Sequence, residues 1–180
     1  ETLTRLDQLY TQVYRDNYGV LMAFHRDEVE APKELQVAAE IALGHRAILA
    51  ARSLDRETSD FSFTKPQCQS YLSELQAIAT ESDHLRCSLQ LPELKQTLER
   101  ILLRSLHHCL LDPAGVSWLE RLLETSQQLH LPLSLDRAQE AYFHALHRQI
   151  LPAIAAGNSE ARSLLRLGER LSIDVCGWSE

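Results

Sequence analysis

Across 180 residues the chain holds only six glycines and six prolines. Each reversal between two strands tends to consume Gly, Pro, Asn or Asp, so a chain this poor in them has few places to turn tightly. Most of the prolines precede helical apolar spacing, at Pro32, Pro66, Pro92 and Pro113, the position where a missing N–H costs a helix nothing. The expected class is therefore all-α.

Apolar positions point the same way along the chain. Leu6, Leu9, Tyr10, Val13, Tyr14, Asn17, Leu21 and Phe24 predict one first helix. Leu35, Ala38, Ala39, Ala42, Leu43, Ile48 and Leu49 form a second, Ala-rich stripe after Pro32. From Arg52 to Lys65 the pattern breaks into polar residues around Phe61 and Phe63, which predicts a long surface connection. Further helices are expected after Pro66, after Pro92, after the Asp112-Pro113 cap, after Ser134 with a bend or end near Pro152, and after Gly157-Asn158-Ser159.

Between helices the apolar period drops to two, as in Leu85, Cys87, Leu89, Leu91 and again in Leu129, Leu131, Leu133, Leu135, with a looser echo at Leu171, Ile173, Val175. Leu89-Gln90-Leu91-Pro92 and Leu129-His130-Leu131-Pro132 lie 40 residues apart. The expectation is one compact bundle of about six to seven helices over residues 1–180, with short extended connectors. A short helical-repeat array is the alternative, although two clear copies fall short of the three that usually stabilise a stack.

A chain of this length buries roughly 70% of its unfolded surface, enough for a core without staples. A formal net charge of −7 argues against nucleic acid, whose phosphates call for clustered Lys and Arg. Cys68, Cys87, Cys109 and Cys176 are scattered in apolar contexts without a C-x-x-C pair, so reduced thiols and a cytoplasmic setting are expected. No apolar run reaches the roughly 18 residues of a membrane span. The start at Glu1-Thr2-Leu3 lacks Met, from which a fragment of a larger protein is expected.

Sites of chemistry are sparse. Glu140, His144 and His147 share a helical face and could hold zinc, but Tyr142, Leu146 and Ile150 mark another stripe as the core side and leave the triad toward solvent. Glu81-x-x-His84 has the spacing of a di-iron element but occurs once, where two copies are needed. Gly115-Val116-Ser117-Trp118-Leu119 lacks the last glycine of a nucleophile elbow, and no phosphate-binding glycine loop is present. No catalytic residue, metal or cofactor is therefore assigned. Tyr10, Tyr14 and Tyr18 stack along one helix edge and, with Phe61 and Phe63, make the candidate interaction surface.

The run from Tyr14 through Leu21, Phe24-His25-Arg26, and Pro32-Lys33-Glu34-Leu35-Gln36-Val37-Ala38-Ala39-Glu40 resembles a helical domain of unknown function, DUF3536. Leu133-Ser134-Leu135-Asp136-Arg137-Ala138-Gln139-Glu140-Ala141-Tyr142-Phe143 is similar to a second stretch of it. That domain lies C-terminal to the catalytic barrel in bacterial, notably cyanobacterial, proteins related to glycoside hydrolase family 57. The resemblance implies a non-catalytic accessory helical domain whose partner is the barrel of its own parent chain. The alternative is a stand-alone protein–protein interaction module, and neither reading involves a membrane or nucleic acid.

Overall fold

The computed structural model describes residues 2–60 and 65–175, so Phe61, Phe63 and Cys176 lie outside the described residues. Within them the chain is an all-α packed bundle, and each of the seven expected helices is present. The first is broken into α1 (Thr2–Asp16) and α2 (Tyr18–Arg26) at Asn17, whose side-chain amide donates to the carbonyl of Val13 at 2.8 Å. Such local back-bonding competes with regular helix, the physical reason one helix became two.

Next come α3 (Lys33–Glu57), α4 (Pro66–His84), α5 (Pro92–Leu111) and α6 (Val116–Gln128). The expected loop from Arg52 onward is corrected: α3 continues to Glu57 because Leu54 is fully buried and its polar neighbours pair across to α5. A 3-10 turn over Thr58–Asp60 follows, held by the Thr58 hydroxyl donating to the carbonyl of Leu54 at 2.8 Å. Last come α7 (Asp136–Ala145), a π turn over Leu146–Ile150, α8 (Leu151–Ala155) and α9 (Ser159–Arg170). The π turn stands just before Pro152, whose ring would press on the carbonyl four residues back in a regular helix; widening relieves that clash.

The packing is sequential. α3 lies antiparallel to α4, α5 to α6, and α7 with α8 to α9, giving three hairpins. α3, α5 and α7 pack side by side in one layer, and α4, α6 and α9 in the other. α1 covers the exposed flank of α3 at the N-terminal end. This is the expected compact bundle, its hairpins packed in chain order.

Small side chains set the spacing. Ala38, Ala39, Ala42, Gly44, Ala47, Ala50 and Ala51 are buried along α3, letting α1, α4 and α5 approach closely. Leu72, Leu75 and Ile78 of α4 and Leu94, Leu98, Ile101 and Leu102 of α5 fill the interlayer space, each worth about 1.5–3 kcal/mol on burial. Leu6 and Leu9 of α1 and Leu49 of α3, expected on core stripes, are instead 50%, 64% and 48% exposed. The apolar arc of α1 is wider than one docking face, and only the Tyr10, Tyr14 and Leu21 side of the arc is turned inward.

One local device ends five helices, once with a glycine, Gly157 at φ 83°, and four times without. Glu28, Arg86, His130 and Ser172 adopt φ of 55°, 53°, 52° and 61°, and the following N–H of each reaches back five residues: Val29 to Phe24, Cys87 to Ser82, Leu131 to Ser126, Ile173 to Gly168. This is the left-handed cap that satisfies the last helix carbonyls. The alternating leucines follow it: Leu85, Leu89, Leu129, Leu131 and Leu171 are buried while the cap residues are exposed.

Candidate functional site

The outer face of the α3, α5, α7 layer carries two adjoining depressions. Between α3 and α5 an open trough of about 500 Å³ is lined by Leu49, Arg52, Asp55, Arg56, Glu93 and Arg100, among others. Between α5 and α7 a second, of about 720 Å³, is lined by Glu99, Arg100, Leu103, Asp136 and Arg137. Gln96 and Arg100 belong to both, so the two run together across three helices.

Arg52 and Arg56 of α3, Arg100 of α5 and Arg137 of α7 line this face, and Arg104 of α5 pairs with its Asp55. Arg52 Nε donates to Glu93 Oε1 at 2.7 Å. Arg100 Nη1 donates to Asp55 Oδ2 at 3.0 Å. Arg104 Nη1 donates to the backbone carbonyl of Asp55 at 2.9 Å, and its Nη2 stands 3.1 Å from Asp55 Oδ1. That Oδ1 is buried and off the axis of a hydrogen bond, so charge attraction alone holds it. On the far side, Glu99 accepts from the Ser134 N–H at 2.6 Å and lies 3.9 Å from the Lys95 ammonium, while Asp136 accepts from the Ser134 hydroxyl at 3.0 Å.

Every acidic side chain in the trough is thereby engaged, whereas among the described residues Arg56 meets only the Ser53 hydroxyl and Arg137 meets no carboxylate. The face offers guanidinium donors without a carboxylate beside exposed Leu49, in a chain whose overall charge is negative. Such a surface suits a carboxylate-bearing ligand with an apolar contact.

The residues singled out from sequence sit elsewhere. Glu140, His144 and His147 are all exposed on α7 and the π turn, and the His147 ring meets Phe143 edge-on at 4.7 Å. Among the described residues no group of three potential ligands is arranged to hold a metal. Glu81 and His84 are also parted, Glu81 bonding to Tyr14 and Arg46 while His84 stacks on His25 at 4.8 Å. Of the tyrosines, Tyr14 is buried, Tyr10 half-buried, and only Tyr18 exposed, its ring edge-on to Tyr14 at 5.8 Å. The Tyr14 hydroxyl donates to Glu81 and serves to dock α1 on α4.

Among the described residues the thiols are not poised as nucleophiles. Burial holds Cys87 and Cys109 in the protonated form, pushed up to about 12, and raises Cys68 as well. Among the described residues no helix is long and apolar enough to cross a membrane. Comparison with family models, curated proteins and solved structures finds no match to the chain.

Proposed function

We propose that this chain is a non-catalytic accessory helical module that works by holding a polypeptide segment of its partner in the trough across α3, α5 and α7. The carrying observation is the state of its charges: Asp55, Glu93, Glu99 and Asp136 are engaged, and Arg56 and Arg137 are left without a carboxylate among the described residues. An extended acidic segment with an apolar side chain for Leu49 fits that pattern. A layer of parallel helices presents it well, because its ridges are fixed by core packing and not by loops.

The resemblance to DUF3536 supplies the context, with the catalytic barrel of a glycoside hydrolase family 57-like parent as the partner. Cys87 and Cys109, which stand as thiols and not in a disulfide, support a cytoplasmic setting.

Selection of short random peptides on the chain, followed by fluorescence anisotropy, tests the reading. Enrichment of acidic sequences whose affinity falls tenfold or more in the Arg56→Glu/Arg137→Glu variant is expected. Absence of any selected sequence, or binding indifferent to those changes, would count against the trough. Turnover of α-glucans or nitrophenyl glycosides by the isolated chain would remove the word non-catalytic.

A further inference from the structure

The outward side of α1 carries a second apolar stripe, of which the bundle uses only the Val13 edge. Leu6 and Leu9 are exposed, Val13 is half-buried beside them, and Val20 at the start of α2 continues the line at 48% exposure. Positions 6, 9 and 13 fall on one side of α1, roughly a quarter-turn or a little more from the Tyr14 side that docks on α4. α1 packs on α3 at the N-terminal end of the described hairpins.

Charges border the stripe in a self-matching way. Arg5 and Asp16 both flank the same edge, are both exposed, and stand eleven residues apart, roughly 16 Å along one helix, so they cannot pair within a molecule. Among the described residues Asp16 is engaged only by the Gln12 amide, which donates to Oδ1 at 2.8 Å. If a second α1 lies antiparallel against the stripe, a two-fold axis keeps each edge on its own side. Leu9 of each copy then meets Val13 of the other, and Arg5 of each comes within a turn of the other's Asp16. One contact thus satisfies both the apolar stripe and two reciprocal ion pairs, the isologous form expected of a closed dimer.

We infer that the chain pairs with a second copy of itself through antiparallel α1 helices, with Leu6, Leu9 and Val13 at the centre and Arg5–Asp16 pairs at both ends. The occupant is another copy because the edge charges complement themselves, with no other partner required.

Sedimentation velocity over a concentration series reads the outcome, with circular dichroism confirming that each variant is folded. The chain is expected to sediment at twice the monomer mass at the higher concentrations, and Leu9→Glu to stay monomeric. Arg5→Asp and Asp16→Arg alone should each weaken the dimer tenfold or more. Mixing these two single variants should restore it, since the reversed charge at position 5 of one copy then faces the reversed charge at position 16 of the other. Combining both changes in one chain should restore it too. A chain that is monomeric throughout overturns the inference, which is also the result if the stripe serves a different polypeptide. A dimer untouched by Leu9→Glu, or single variants that do not rescue each other, likewise overturns it.

Discussion

Gly168 on α9 lies directly against Tyr142 on α7: a Cβ built on the glycine would stand 2.7 Å from the phenol oxygen and 2.7 Å from Val175 Cγ1. That phenol is fixed, because its hydroxyl donates to the carbonyls of Leu164 at 2.9 Å and Leu165 at 3.1 Å. The last hairpin closes on this contact. The glycine therefore answers a close approach, at the expense of about 1 kcal/mol of helix propensity.

Gly168→Ala should destabilise the chain by about 2–3 kcal/mol, since neither neighbour can retreat without losing a buried bond or a packed methyl. Gly44→Ala is the matched control. Its Cβ would meet only Leu91 Cδ1, at 2.8 Å, the free end of a half-buried side chain. There the gain in helix propensity offsets the crowding, and the net change should stay within about 1 kcal/mol. Urea titrations of the two variants give the comparison, and equal losses would refute the packing account.

Tyr14 carries the docking of α1. Its hydroxyl donates to Glu81, whose other oxygen accepts from Arg46 Nη1 at 2.8 Å, and Arg46 Nη2 donates to Glu74 at 2.7 Å. Burial and the bond to Glu81 raise the Tyr14 phenol above its ordinary range. Burial opposes the Arg46 charge, but the bonds from Glu74 and Glu81 outweigh it. Tyr14→Phe should cost about 1–2 kcal/mol. Hydrogen exchange is the discriminating readout: amides of α1 should lose protection while those of α5 through α9 keep theirs.

How much of this was legible in advance divides along the range of the interactions. Pro66 and Pro92 open α4 and α5 as their local chemistry predicts, and Asp112 and Asn158 accept from Ala114 and Glu160 at 3.1 Å and 2.9 Å as caps should. Ser134 does not cap α7; its hydroxyl donates instead to Asp136, the first residue of the helix that it was expected to start. The trough was invisible for a different reason. Arg52–Glu93 and Asp55–Arg100 join residues 41 and 45 apart, and neither pair forms a pattern until α3 and α5 are laid side by side. A signal for that register did exist. The 40-residue recurrence of Leu-x-Leu-Pro is offset from the structural repeat, in which the left-handed caps Arg86, His130 and Ser172 are 44 and 42 residues apart. Aligned on the caps, the three hairpins would have come into view.

The buried thiols and phenol set an alkaline limit on stability. Cys109 is held up to about 12 against an ordinary 9.0, and Tyr142 up to about 12 against 10.0, in both cases chiefly by burial. In the unfolded chain these groups release their protons near the ordinary values, while the folded chain retains them until about 12. Between those limits the unfolded state binds fewer protons, so stability is whole below about pH 9 and falls as pH rises. The expected slope is on the order of 1 kcal/mol per pH unit for each fully buried group. Urea midpoints from pH 8 to pH 11 measure it, and Cys109→Ala should make the decline shallower.

The left-handed caps give a route to a more stable chain that keeps the backbone bonds of the turns in place. A non-glycine residue at φ near 55° is destabilised by roughly 1 kcal/mol through the crowding of Cβ against the following carbonyl. Arg86 and Ser172 sit at 53° and 61°, and both are exposed. Glycine there removes the clash and keeps the Cys87-to-Ser82 and Ile173-to-Gly168 bonds, which come from backbone N–H groups. Greater freedom of glycine in the unfolded chain takes back part of the gain. His130 is the poorer choice, since its ring meets Asp83 at 2.9 Å across the hairpin ends. Arg86→Gly and Ser172→Gly together should raise the thermal midpoint by about 2–4 °C, read by calorimetry. A fall would mean that the side chains at these turns contribute more than their backbone geometry costs.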